Sequence, residues 1–422
     1  MFNDVPFIGR LAQLVRASAR QAEGHWFESS IAHSFKGSKT NYWNAWITSI
    51  AISSHRVFVT GSAYIAPEPL RDVLSGRLTA PPQPPPEITA FETAAGAPAW
   101  GFEAVEFSIQ TELPHVKSFV DRTSAFALAA GKRALTDAGL LEKAQRPQGV
   151  EIGCAYGSTL GCLEAMGIFW NKVKATNPKF APPLPFTHGY ANSPSSLLCI
   201  DFGLRGAAAT FTGEKLAGLE ALLFAFDQVA AGAAEIILVC ASDSLTPAAH
   251  NHLFATEQLG VSGDWRDGLI PGEGGAALVL ESESSVSRRN AKVLAEIEGI
   301  NFFPLDPKSS VAPMRVATGT RETAVFSSMP NVHHYGGWIQ HLHKPDMPAV
   351  APKYFTGDML AVSPLLSVVL AAQTLGGAQI IAQNGAPGLP LLNPASVLEK
   401  AQFAVATGFD SGGLLGVAML AK

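Results

Sequence analysis

Four histidines, His333, His334, His341 and His343, fall within the eleven residues that close the run NVHHYGGWIQHLH and invite a metal site. The spacing argues against it. His341 and His343 would share a face only on a strand, two glycines interrupt the run, and no Cys or Glu stands beside them to complete a zinc set. The segment reads as a solvent-facing or interface loop, and no metal is expected. Cys154, Cys162, Cys199 and Cys240 lie among apolar or small residues without a CxxC pair, which reads as reduced thiols. The glycine runs Gly272 to Gly275 and Gly408 to Gly413 lack the Walker spacing with Lys and Ser or Thr, so close backbone packing explains them better than a phosphate cradle. No cofactor is expected.

One lysine is placed more suggestively. GAAATFTGEKLAGLEALLFAFDQV reads as strand, tight turn and helix, with Lys215 where the helix begins. Buried in an apolar pocket, a lysine there could serve as a Schiff-base nucleophile. The preferred reading is a structural lysine paired with Glu214 or with a carboxylate across a dimer. Asp358 likewise reads as a capping or ion-pairing residue near Lys353.

The elements that would position these residues alternate. RVFVTGSAYI from Arg56 is a β-branched run that forms a buried first strand. Leu78 to Pro98, with PPQPPPE at Pro81 to Glu87, is an extended surface loop. Asp121 to Gly139 is an amphipathic helix ending on glycine, with Phe126, Leu128, Ala129 and Leu135 on its apolar side. Val150 to Gly157 and Ile236 to Ala241 are strands flanking a helix over Leu216 to Gly232. Gly275 to Glu281 and Val293 to Ile300 are strands separated by a basic stretch, Arg288 to Lys292, at a plausible midpoint. A long apolar helix, Leu360 to Leu375, a strand, Phe403 to Gly408, and a glycine turn close the chain. The pattern is α/β in two comparable halves.

Composition sets limits. The 422 residues are 47% hydrophobic and only 15% charged, which calls for extensive burial in a core or interface. With 30 Lys and Arg against 35 Asp and Glu and no long like-charged block, nucleic acid is excluded as a partner. Residues 359–398 carry no formal charge, but their Ser, Gln, Thr and Gly content suits a protein interior better than lipid, so no membrane span is expected and the protein reads as cytoplasmic. Residues 1–54 show no clean period. RLAQLVRAS at Arg10 to Ser18 and FESSIAH at Phe27 to His33 resemble a translated transfer-RNA gene, and the folded protein is expected to begin near His55 or Arg56.

Several segments in order resemble the β-ketoacyl synthase family: VDRTSAFALAAGKRALTDAGL at Val120 to Leu140, DFGLRG at Asp201 to Gly206, the Lys215 turn, RDGLIPGEGGAALVLE at Arg266 to Glu281, AEIEGI at Ala295 to Ile300, KYFTGDM at Lys353 to Met359, and GFDSGG at Gly408 to Gly413. The resemblance implies a thiolase-like, five-layered αβαβα fold of two similar halves, expected over 55–290 and 291–422. Active members carry a cysteine at the helix-opening turn, and that position is Lys215. One family histidine is replaced by Asp358, behind a retained Lys353. The other falls in AVFSSMPN at Ala324 to Asn331, which has no histidine. By the same resemblance, Glu214, Gly218, Lys353 and Phe409 are pocket or interface positions, with Phe409 matching an aromatic gate.

Loss of all three catalytic positions is similar to the chain-length-factor class, inactive partners of ketosynthases, with the subunits of aryl polyene synthesis as a finer likeness. The resemblance thus implies a non-catalytic subunit that pairs as a heterodimer with an active ketosynthase and meets acyl carrier protein in polyketide or fatty-acid-type biosynthesis. The alternatives are a residual malonyl decarboxylase or lysine-based acyltransferase, and a homodimeric scaffold that binds acyl carrier protein.

Overall fold

A computed structural model of the chain describes residues 55–75, 81–116, 118–142, 149–176, 178–265, 267–304, 322–328, 349–378, 400–410 and 413–422. The expected extension over 1–54 and the four clustered histidines lie outside these residues. The chain opens with β1 (Val57–Ile65), α1 (Glu68–Leu74), α2 (Ile109–Glu112) and α3 (Arg122–Asp137). Next come β2 (Ile152–Ser158), α4 (Leu163–Ala175), α5 (Pro183–His188), α6 (Ser193–Phe202) and β3 (Ala208–Thr212). Then follow α7 (Ala217–Ala230), β4 (Ile236–Asp243), α8 (Pro247–Ala255), β5 (Gly274–Ser282) and α9 (Glu283–Arg289). The remainder is β6 (Ala295–Pro304), β7 (Thr323–Ser327), β8 (Ala349–Val350), α10 (Lys353–Thr356), α11 (Val362–Leu375), β9 (Phe403–Phe409) and β10 (Leu414–Ala421).

The strands are ordered β3-β2-β4-β5-β1-β6-β10-β9-β7-β8. Read outward from the β1–β6 junction, each half repeats one pattern. Two antiparallel pairings, β1 with β5 and β5 with β4, are followed by two parallel ones, β4 with β2 and β2 with β3. The second half does the same with β6, β10, β9, β7 and β8. The junction itself is short, running from Val57 opposite Ile297 to Val59 opposite Ala295.

Burial follows from this doubling. Helix α3 covers β1, β4 and β5, with α6 packed on it. Asp121 caps α3 by accepting from the Thr123 N–H at 2.9 Å. The expected amphipathic helix is enclosed more fully than its pattern suggests, since every residue from Thr123 to Gly131 is buried. Helices α7 and α11 touch each other and strands of both halves, so they form the layer between them. That position explains the described part of the uncharged stretch, residues 359–378. Over α11's 14 residues all but Gln373 are buried, as an interior helix with apolar residues on every face requires. Among the described residues no helix is long and apolar enough to cross a membrane. The fold is the expected mixed α/β, thiolase-like architecture.

The structure contains several elements that the sequence reading did not name, among them α4, α6 and α8. The short helix α1 precedes the proline-rich loop, and α9 lies between β5 and β6, reaching into the basic stretch at Arg288 and Arg289. Ser282 caps α9 by accepting from the Ser285 N–H, and Asn290 ends it in the left-handed region. The chain also continues beyond the glycine turn into β10, which is hydrogen-bonded on both sides, to β6 and β9.

Candidate functional site

Lys215 lies in the turn between β3 and α7, two residues before the first helical residue. Asp358 follows α10 and precedes α11. Folding brings these two connections together, because the N-terminal ends of α7 and α11 meet. A Cβ on Gly218 would lie 2.3 Å from the carbonyl oxygen of Ala361, so only glycine permits this approach.

The Lys215 ammonium donates to Asp358 Oδ2 at 2.7 Å, and Lys353, on α10, donates to the same oxygen at 2.5 Å. Asp358 is 1% exposed and Lys353 4%. The other carboxylate oxygen, Oδ1, accepts from the Leu360 N–H at 3.0 Å. Burial pushes the Asp358 carboxyl upward, but Lys215 and Lys353 outweigh it and hold the group well below the usual carboxylate range. Burial brings the Lys353 ammonium down to about 8; Asp358 opposes that shift and Lys215 adds to it. Leu360 has φ 52°, an unusual conformation for a branched residue, and its bond to Asp358 helps hold it.

The backbone around Asp358 is clamped as well. Its N–H donates to the Ile270 carbonyl at 2.7 Å, and its own carbonyl accepts from the Gly272 N–H at 3.0 Å. A Cβ on Gly272 would lie 1.9 Å from the Thr356 carbonyl oxygen. The run beginning at Gly272 therefore serves close backbone packing, as its spacing suggested.

Asp243 is a positioning residue that the sequence reading passed over. Fully buried at the end of β4, it accepts from Ser158 Oγ at 2.8 Å and from the N–H groups of Thr159, Leu160 and Ala361 at 3.0 to 3.1 Å. It ties the loop after β2 to the start of α11. Burial raises its carboxyl to about 6 against those donors. The signal available in the sequence was a lone carboxylate at the end of an apolar strand, IILVCASD.

The expected site residues fall as follows. Lys215, Lys353 and Asp358 come together, and Gly218 sets the approach of the two helices. Lys215 bonds to Asp358 of its own chain, where the sequence reading had offered Glu214 or a carboxylate across a dimer and had linked Asp358 only to Lys353. Glu214 is exposed, and its carbonyl accepts from Thr159 Oγ1 at 3.3 Å. Phe409 is buried at the end of β9 opposite Leu415, and its neighbour Gly408 lies against Leu216 and Pro364. Of AVFSSMPN, Ala324 to Ser328 are described: β7 and the residue after it, with Ser328 Oγ donating to the Thr407 carbonyl at 3.1 Å. Cys154, Cys162 and Cys240 are buried and Cys199 is half-buried, all as free thiols.

The Lys215 turn, Gly213 to Leu216, holds no thiol. Residues 87–285 match the β-ketoacyl synthase N-terminal domain. The ketosynthase likeness extends through the fold. The ishigamide ketosynthase/chain length factor superposes with a TM-score of 0.70 at 19% identity, covering 87% of this chain and 99% of that one. A type II PKS ketosynthase in complex with its acyl-carrier protein gives a TM-score of 0.67 at 16% identity, with the same coverage. In sequence, 3-oxoacyl-(acyl-carrier-protein) synthase 2 of Vibrio cholerae is 25% identical over 269 residues, which is 60% of this chain and 64% of that protein. The chain thus spans less than two thirds of this ketosynthase relative.

Proposed function

We propose that this chain is a non-catalytic ketosynthase-like subunit that pairs with an active ketosynthase and helps shape the acyl tunnel at their shared interface in polyketide or fatty-acid-type biosynthesis. The observation that carries this reading is the bonding of Lys215, at the position matching the family's nucleophilic cysteine, to Asp358, at the position matching a family histidine. An ammonium bonded to a carboxylate offers no lone pair for attack on a thioester. A carboxylate in place of a histidine repels the enolate that decarboxylation generates.

The surface supports pairing. Strand β3 ends the sheet with one edge open among the described residues, and its burial pattern is exposed at both ends. In the segments before it, Trp170, Phe180, Phe186 and Tyr190 are exposed, with Trp170, Phe169, Phe186 and Tyr190 in successive ring contact, and Ile200 on α6 is 77% exposed. An apolar surface next to an open strand edge suits a protein interface. Acyl carrier protein is the proposed second partner. Co-expression with an intact Cys-His-His ketosynthase from the same gene neighbourhood should yield a one-to-one complex by size exclusion with mass measurement. A stable homodimer that ignores such ketosynthases would favour the scaffold alternative.

A further inference from the structure

At the centre of the site stand one anion and two cations, all belonging to the chain. Asp358 Oδ2 accepts from both Lys215 and Lys353, and Oδ1 accepts from the Leu360 N–H. Three donors converging on one carboxylate, two of them charged, are what a binding site offers to a ligand carboxylate. Here a side chain supplies that group.

The surroundings make the anion a requirement. Lys353 is 4% exposed on α10, whose four residues are all buried, and its position is set by the backbone pairing of the following loop with Pro271. Lys215 is held from the start of α7, which adjoins the start of α11. Both helix ends direct partial positive charge toward this corner. Without a carboxylate, two ammoniums would share a largely dry space. We infer that Lys215 and Lys353 form a carboxylate-binding pocket for which Asp358 is the resident internal ligand, so that the chain is closed to small carboxylates, and equally to a carboxylated acyl group, while that side chain is in place. This inference concerns the isolated chain and does not rest on partnership with a ketosynthase, so the two can fail separately.

The experiment is chemical rescue of the full chain. Asp358→Ala vacates the pocket, and its thermal unfolding is followed at pH 7 in sodium acetate and in sodium chloride of equal ionic strength. Acetate should raise the variant's melting temperature by about 4 °C or more, growing logarithmically with concentration as ligand linkage requires. The wild-type chain should be indifferent to acetate and to malonate. Asp358→Asn should lose stability without responding to acetate, because the amide fills the space, and Lys215→Ala combined with Asp358→Ala should lose the response with one of its cations. If Asp358→Ala does not fold on expression, refolding from urea in the two salts replaces the melt, with recovery expected only in acetate. No acetate response in Asp358→Ala, equal recovery in chloride, or a wild-type response of the same size would overturn the inference.

Discussion

Lys215 and Asp358 are separated by 143 residues in sequence and by 2.7 Å in space, and their bond joins the turn before α7 to the loop before α11. The two central helices are therefore linked at their starts by an ion pair as well as by packing.

Removing the members of this cluster should have unequal effects. Asp358→Asn leaves two ammoniums without their anion and should cost about 3–5 kcal/mol, the usual penalty for breaking a buried pair from one side. Lys353→Met should cost less, because Asp358 keeps Lys215. Lys215→Met should cost least, since that side chain is 16% exposed and Asp358 keeps the more buried lysine. Urea midpoints of the three variants test the order, and an Asp358→Asn variant as stable as Lys215→Met would refute it.

Gly218 should tolerate no side chain. Its Cβ would meet a backbone oxygen that cannot swing away, so Gly218→Ala should destabilise by roughly 3 kcal/mol, the upper range for overpacking. A lowered urea midpoint at unchanged slope would show that the native packing alone was affected.

Asp243 should give stability a readable pH dependence. Burial raises its folded pKa to about 6, above the ordinary value of 3.8. Its contribution is therefore fully present below about 3.8 and is lost as pH rises through 6. Relative to wild type, Asp243→Asn should gain on the order of 1–3 kcal/mol between pH 4 and pH 7, on top of any constant offset from the amide facing N–H donors. A difference that stays flat across that interval would show that the carboxyl titrates normally.

Restoring the thiol should not restore catalysis. Lys215→Cys would leave Lys353 and Asp358 bonded to each other, with a carboxylate where the reaction develops negative charge. Mass spectrometry with acyl carrier protein substrates should find no condensation product. Turnover by that single variant would show that the replaced histidine position is not limiting.

Much of the fold was legible from sequence because its signals are local. The β-branched runs of β1 and β4, the helical period of α3 and the small residues opening α7 are short-range patterns that neighbouring residues impose on one another. Among the elements missed were the short helices α1 and α9, each too brief to show a period, the longer α4, α6 and α8, and β10, whose apolar run LLGVAMLA suits a strand buried on both faces as well as a helix segment. Lys215, Lys353 and Asp358 could each be named from their motifs, and so could the absence of a cysteine from the Lys215 turn. The bond between Lys215 and Asp358 was not, nor was the anchoring of Ala361 by Asp243. Both depend on how the two halves close around α7 and α11, and side chains more than a hundred residues apart acquire a shared electrostatic environment only when that closure excludes water.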